Sequence, residues 1–189
     1  FPSKTIIVVL HAKASFQSAT GRPICADGLF DPTLGRLQVP AQDALADRVW
    51  LRRVLRHEFV HALLHDQLGL AGSAIPTWLN EGLAMELSGD HWSDLDQTMM
   101  QNFTPIPLPA LEGAWGGLSS EAATIAYLEA NSAVHYLVNR FGMHRVQELL
   151  SQLKAKQAHS TAMQSQLSLS YEQFQSMWVN QLQEQGKKS

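Results

Sequence analysis

The sequence predicts an α+β fold, with strands confined to the first forty residues and helices after them. Three observations carry this. Residues 5–11 (TIIVVLH) are β-branched and apolar throughout, the pattern of a strand buried on both faces. Residues 29–30 and 36–39 flank Asp31-Pro32-Thr33-Leu34-Gly35, where Pro and Gly specify a turn and hence a hairpin. From residue 43 onward, helical periodicity bounded by helix start and stop signals takes over. Strands followed by helices, without alternation, is the α+β order.

The elements follow in sequence. Gly21, Pro23 and Gly28 mark a loop between the first strand and the hairpin, and Cys25 lies in it. Pro40 stops the second hairpin strand and, having no N–H to donate, points to an edge position. A helix begins at Asp43 or Asp47 and runs to Leu68, with Gly69 as the residue that ends it. Its second half, LRHEFVHALLH, is apolar nearly all round, as in a helix buried on most sides. Residues 69–74 make a turn. Pro76 suits the first turn of a helix over 77–87, which Gly89 ends. After a polar stretch, residues 103–117 hold three prolines and three glycines in fifteen positions, which excludes regular structure. The last third predicts helices over 121–141, stopped by Gly142, then 144–157 and 171–185. Glutamine is frequent from Gln147 onward but alternates with Leu, Met, Phe and Trp, so it marks a polar helix face.

Composition narrows the function classes. At 189 residues and 20.9 kDa the chain fits one domain, or two small lobes sharing a core, and buries roughly 70% of its unfolded surface. A hydrophobic share of 45% and a charged share of 16% exclude a disordered or collagen-like chain. The net charge of -3 and a pI near 6.2 supply no basic field for nucleic acid or anionic lipid. The longest apolar run, residues 6–10, is far too short to span a bilayer. A single cysteine excludes an internal disulfide and a Cys-only zinc site. The start, Phe1-Pro2-Ser3-Lys4-Thr5, has no initiator Met and no signal-like region, the expectation being a processed or trimmed chain.

The chemistry lies in His57-Glu58-Phe59-Val60-His61, an H-E-x-x-H motif. On a helix the two histidines are one turn apart and about 40° apart in azimuth, so both imidazoles reach one metal ion. Glu58 lies about 100° round from His57 and about 60° from His61, flanking the metal where a base takes a proton from water. Chance yields this pentapeptide in about one to two chains per hundred of such composition, so a second half of the site is needed. Catalytic zinc takes three protein ligands and leaves one position open. Glu81, twenty residues after His61 in Trp78-Leu79-Asn80-Glu81-Gly82-Leu83-Ala84, returns beside His61 if the next helix folds back. Gly82 costs about 1 kcal/mol relative to Ala inside a helix, which close approach of those two helices would explain.

HEFVH followed by NEG-L-A, with nineteen residues between His61 and Glu81, resembles the gluzincin clan of zinc metallopeptidases, which includes thermolysin-like and aminopeptidase-N-like enzymes. The closer likeness is to compact bacterial peptidase MA-like domains, and it covers most of the chain. Residues 28–40 resemble their strand-turn-strand before the active-site helix, and residues 75–84 their P-x-W-L-x-E-G-L-A segment. Residues 126–142 resemble their A-Y … Y-L … R-F-G helix, and residues 167–178 their terminal G-L-S-x-x-x-F-x-x-x-W segment.

The resemblance implies a zincin-like architecture. A small N-terminal mixed sheet with the active-site and third-ligand helices spans residues 1–90. A helical C-terminal lobe spans 91–189, with a zinc cleft between the two in one compact catalytic domain. It implies one Zn²⁺ held by His57, His61 and Glu81, with Glu58 as general base. The activity it implies is peptide-bond hydrolysis by zinc-activated water, on a peptide or protein substrate. An oxyanion donor comes from the helical lobe, and Tyr127 holds that place in the resembling helix; His135 and His144 are weaker candidates. The strand at 36–39 would pair with an extended peptide by β-addition. A secreted or cell-envelope location is slightly favoured over the cytoplasm.

Two departures matter. Thermolysin-like enzymes carry an Asp four residues beyond the ligand Glu to orient a zinc histidine; here Met85 stands there, and Glu86 is one step further. The G-x-M-E-N signature of aminopeptidase-N-like enzymes is absent, which favours an endopeptidase. Three other readings stay open: a zinc-bearing domain that binds peptides or partners without turnover, a hydrolase of non-protein amides such as cell-wall peptides, and an aminopeptidase. His65 reads as a packing or second-shell residue, and His11, His91 and His159 as scattered polar histidines. Arg52, Arg53 and Arg56 read as a solvated or salt-bridged helix face. Tryptophans and methionines read as core or cleft lining.

Overall fold

The computed structural model describes residues 6–20, 27–69, 75–89 and 104–186. Thr5, Gly21, Pro23, Cys25, His91 and the boundary expected at residue 90 lie outside the described residues.

A three-stranded sheet forms from β1 (Ile7–His11), β2 (Leu29–Asp31) and β3 (Arg36–Pro40), in the order β1-β3-β2. β2 and β3 make the expected antiparallel hairpin, Leu29 opposite Gln38 and Asp31 opposite Arg36. β1 runs parallel to β3, from Ile7 opposite Arg36 to His11 opposite Pro40, so the sheet is mixed. The turn is held by Asp31 Oδ1, which accepts the backbone N–H groups of Thr33 and Leu34 at 2.9 and 3.0 Å.

Two strand expectations are overturned. β1 is not buried on both faces: Ile7 is 57% exposed and Leu10 49%. Among the described residues its apolar run has a partner strand on one side only, β3. Conversely, β3 is the central strand despite Pro40. The proline is the last residue of the strand, so its missing N–H interrupts no bond inside the ladder.

Helices close over the sheet. α1 (Lys13–Thr20), unforeseen in the sequence, buries Phe16 and brings its ring against His11. A short α2 (Ala41–Ala46) precedes α3 (Arg48–Leu68). Of the two start sites expected, Asp47 is the cap: its carboxylate accepts the Val49 and Trp50 N–H groups at 2.8 and 3.0 Å. Gly69, at φ 61°, ends α3 as expected. Val39 of β3 and Val54 of α3 form a small core that seats the sheet on the first half of α3.

α4 (Thr77–Ser88) starts after Pro76 and stops at Gly89 in the left-handed conformation. Residues 108–111 form a 3₁₀ turn (Leu108–Leu111), a departure from the irregular loop expected for 103–117. Proline fits the first positions of such a turn, where the N–H it lacks has no partner to find. α5 (Ser120–Lys154) runs through Gly142, whose φ of 82° and ψ of 155° break the helix where a stop was expected. α6 (His159–Leu167), also unforeseen, and α7 (Tyr171–Gly186) complete the chain. The main core joins Leu64 and Leu68 of α3, Trp78, Leu79 and Leu83 of α4, Ala130 and Leu137 of α5, and Phe174 and Trp178 of α7. Trp78, Trp178, Met85 and Met163 are buried, as expected of core residues.

Candidate metal centre

α3 and α4 bring three ligand-type side chains to one point. His57 and His61, one turn apart on α3, have Nε2 atoms 3.2 Å apart. Glu81 Oε2, from the second turn of α4, lies 3.4 Å from His57 Nε2 and 3.5 Å from His61 Nε2. All three are largely buried, at 13–18% side-chain exposure. Among the described residues this is the one group of three or more His, Cys, Asp or Glu positioned to hold a metal.

The dimensions fit a small tetrahedral ion. Zinc takes nitrogen and oxygen ligands at about 2.0–2.2 Å, which sets tetrahedron edges of about 3.3 Å. The observed triangle, 3.2, 3.4 and 3.5 Å, is one face of such a tetrahedron. Its chemistry also fits. His61 Nδ1 lies 3.3 Å from Asn80 Oδ1, an acceptor, so Nδ1 carries a proton and Nε2 is the nitrogen turned toward Glu81 and left for a metal. Electron-rich atoms converging this closely call for positive charge between them.

The electrostatics say the same. Burial opposes a charged His61, yet the Glu81 carboxylate more than offsets it and raises the imidazole to about 9. Burial likewise opposes charge on Glu81, but His61 and His57 hold its carboxyl well below the usual carboxylate range. Without an ion, protons supply the positive charge; a metal displaces them.

Glu58 borders this triangle and is 7% exposed. Burial raises its carboxyl above the ordinary range, while His61, His57 and the Phe30 backbone N–H pull it partly back. Gly28 lies directly over it: a Cβ there would come within 2.7 Å of Val54 Cγ1 and 3.2 Å of Glu58 Cγ. Glycine therefore lets the entry to β2 sit close against the Val54 and Glu58 side chains, which a larger residue would press on.

A family model described as the peptidase MA superfamily matches residues 42–184. The chain belongs to the peptidase MA superfamily. Searches of curated proteins and of solved structures gave no match. In this peptidase MA chain, both elements of the motif and its third partner fall within the matched residues.

The other residues singled out in the sequence have the following surroundings. Tyr127, half-buried on α5, meets Trp115 edge-on, ring centroids 5.0 Å apart. His135 pairs with Glu86 at 3.0 Å and takes a bond from Asn139, so Glu86 is turned to α5. Met85 is buried at 2% exposure. His144 is a surface residue paired with Glu148. His65 packs against Phe30, ring centroids 5.6 Å apart. His11 bonds the buried Gln38, and His159 pairs with Glu112 at 3.0 Å. Arg53 bonds Asp27, while Arg52 and Arg56 are exposed. Three site features escaped the sequence reading: Asn80, Gly28 and the Phe30 N–H. Only Asn80 left a signal, its place beside Glu81.

The role foreseen for residues 36–39 in binding peptide is also corrected. β3 has a strand on each side and offers no free edge. The edge beside the histidines belongs to β2, whose Phe30 N–H faces Glu58 and so lies outside the β3 ladder.

Among the described residues no helix is long and apolar enough to cross a membrane.

Proposed function

We propose that this peptidase MA chain is a zinc-dependent metallopeptidase acting as an endopeptidase. The observation that carries the reading is the His57–His61–Glu81 triangle, whose edges match one face of a zinc tetrahedron. Zinc held by these three residues would supply Lewis acidity for a carbonyl oxygen and for water near neutral pH.

The chain's own groups do the rest. The Glu58 carboxylate accepts the proton of the attacking water and delivers it to the leaving amine nitrogen. Its buried position raises its basicity toward that task. An extended substrate backbone pairs with the outer edge of β2, where the Phe30 carbonyl accepts from it while the Phe30 N–H stays on Glu58. The Tyr127 phenol donates a hydrogen bond to the developing oxyanion and keeps its proton. The absence of G-x-M-E-N leaves no assigned carboxylate for a substrate α-amine, which supports internal cleavage.

Glu58→Gln tests the mechanism. The variant retains stoichiometric zinc by elemental analysis and loses hydrolysis of a quenched, N-terminally blocked peptide library by about 10²–10⁴-fold. Full activity in that variant removes Glu58 from the role. A second reading, peptide binding without turnover, draws on Met85 standing where thermolysin-like enzymes carry an orienting Asp. Zinc-loaded protein that binds the library and cleaves none of it would establish that reading instead.

A further inference from the structure

Residues 104–118, which lead into α5, do more than connect. They meet α5 at Glu129 and return to α5 at Tyr127, having crossed α7 and the head of α4. Ile106 donates its backbone N–H to Glu129 Oε1 at 2.9 Å. Gln175 of α7 accepts the Leu108 N–H at 3.0 Å and donates to the Ile106 carbonyl at 3.4 Å. Leu108 and Leu111 are buried in the main core. The Glu112 carbonyl accepts the Thr77 N–H, first residue of α4, at 3.1 Å. Trp115 then donates its indole N–H to the Leu111 carbonyl at 3.3 Å and sets its ring against Tyr127 at 88°.

Glu129 is an unusual choice for this place. It is completely buried, and its Oε2 has no hydrogen-bond partner. A buried carboxyl left half unsatisfied is costly, and an apolar residue in a core helix is not. What Glu129 gains is the Ile106 N–H. That residue sits in Pro105-Ile106-Pro107, so it holds the one backbone donor of the three. Burial pushes the Glu129 carboxyl up to about 7, with the Ile106 bond pulling the other way.

We infer that residues 104–118 form an arm, latched at Glu129, whose Trp115 positions the Tyr127 phenol, so that Glu129 and Trp115 are positioning residues for hydrolysis. This rests on Tyr127 as the oxyanion donor. Neither residue touches substrate; each acts through where the phenol is held. Losing the latch at Glu129 therefore disturbs Tyr127, although no bond between those two side chains is involved.

Two measurements test the arm. The chain has three tyrosines, so an ultraviolet pH titration of the wild type minus that of Tyr127→Phe isolates the Tyr127 phenol. Trp115→Ala and Glu129→Ala each move that titration by at least about half a pH unit. Trp115→Phe, which keeps an aromatic edge, and Glu129→Gln, which keeps an acceptor for Ile106, leave it in place. In peptide hydrolysis Trp115→Ala lowers kcat by up to about tenfold, the worth of an edge-to-face contact, with KM within about twofold. That loss vanishes in the Tyr127→Phe background. A titration unmoved in both alanine variants, or kcat losses that multiply with Tyr127→Phe, overturns the arm. The titration needs neither zinc nor turnover. A wild type that cleaves no peptide thus overturns the proposed function separately, while an unmoved titration overturns the inference.

Discussion

Gly82 lies against Ala130. A Cβ on Gly82 would overlap the Ala130 carbonyl oxygen and come within 2.5 Å of Val134 Cγ2. The close approach that explains this glycine is therefore between α4 and α5, not between the two metal-site helices. A backbone carbonyl cannot swing aside, so Gly82→Ala must push α4 off α5. Glu81, the adjacent residue, moves with it. The expected cost is about 1–3 kcal/mol of stability, read by urea denaturation, together with weaker zinc binding. Unchanged zinc affinity would show that α4 can shift without carrying Glu81.

Gly28→Ala acts from the other side of the site. The new methyl meets Val54 and the Glu58 side chain. Val54 can turn; Glu58, held between Gly28 and the histidines, cannot without leaving its place. The expected outcome is peptide hydrolysis reduced by about tenfold or more while zinc content stays at one ion, since misplacing a reacting group is what such a change does.

Asn80 orients His61. Its carboxamide oxygen accepts the Nδ1 proton at 3.3 Å and so fixes which nitrogen faces Glu81. Asn80→Ala should weaken zinc binding about 10–100-fold in competition with a chelator. Asn80→Asp keeps the acceptor and should stay within a few-fold of the wild type.

Glu129 gives the protein a pH dependence. Burial pushes its carboxyl in the folded state up to about 7, from an ordinary value of 4.5. Between those values the folded chain binds a proton the unfolded chain has lost, so stability falls as pH rises from about 4.5 to about 7 and levels off above. Denaturation midpoints measured from pH 5 to pH 8 should decline in the wild type, and Glu129→Gln should flatten that decline.

Local signals determined the hairpin, the Gly69 and Gly89 stops and the Gly142 break, and narrowed the start of α3 to Asp43 or Asp47, because each depends on a few neighbouring residues. The same holds for His57, Glu58 and His61, whose spacing on one helix fixes their relation before any tertiary contact forms. Glu81 was legible because a proline start and a short connection left α4 little choice but to return along α3. Only the folded molecule decided the rest. The apolar run of β1 reads alike at a sheet edge and at its centre, and strand order depends on contacts between residues far apart in sequence. Gly28, Asn80 and Glu129 likewise take their meaning from partners 19 to 30 residues away. No periodicity records such a partner, because it is chosen by which helices and strands pack together, not by the residues alongside.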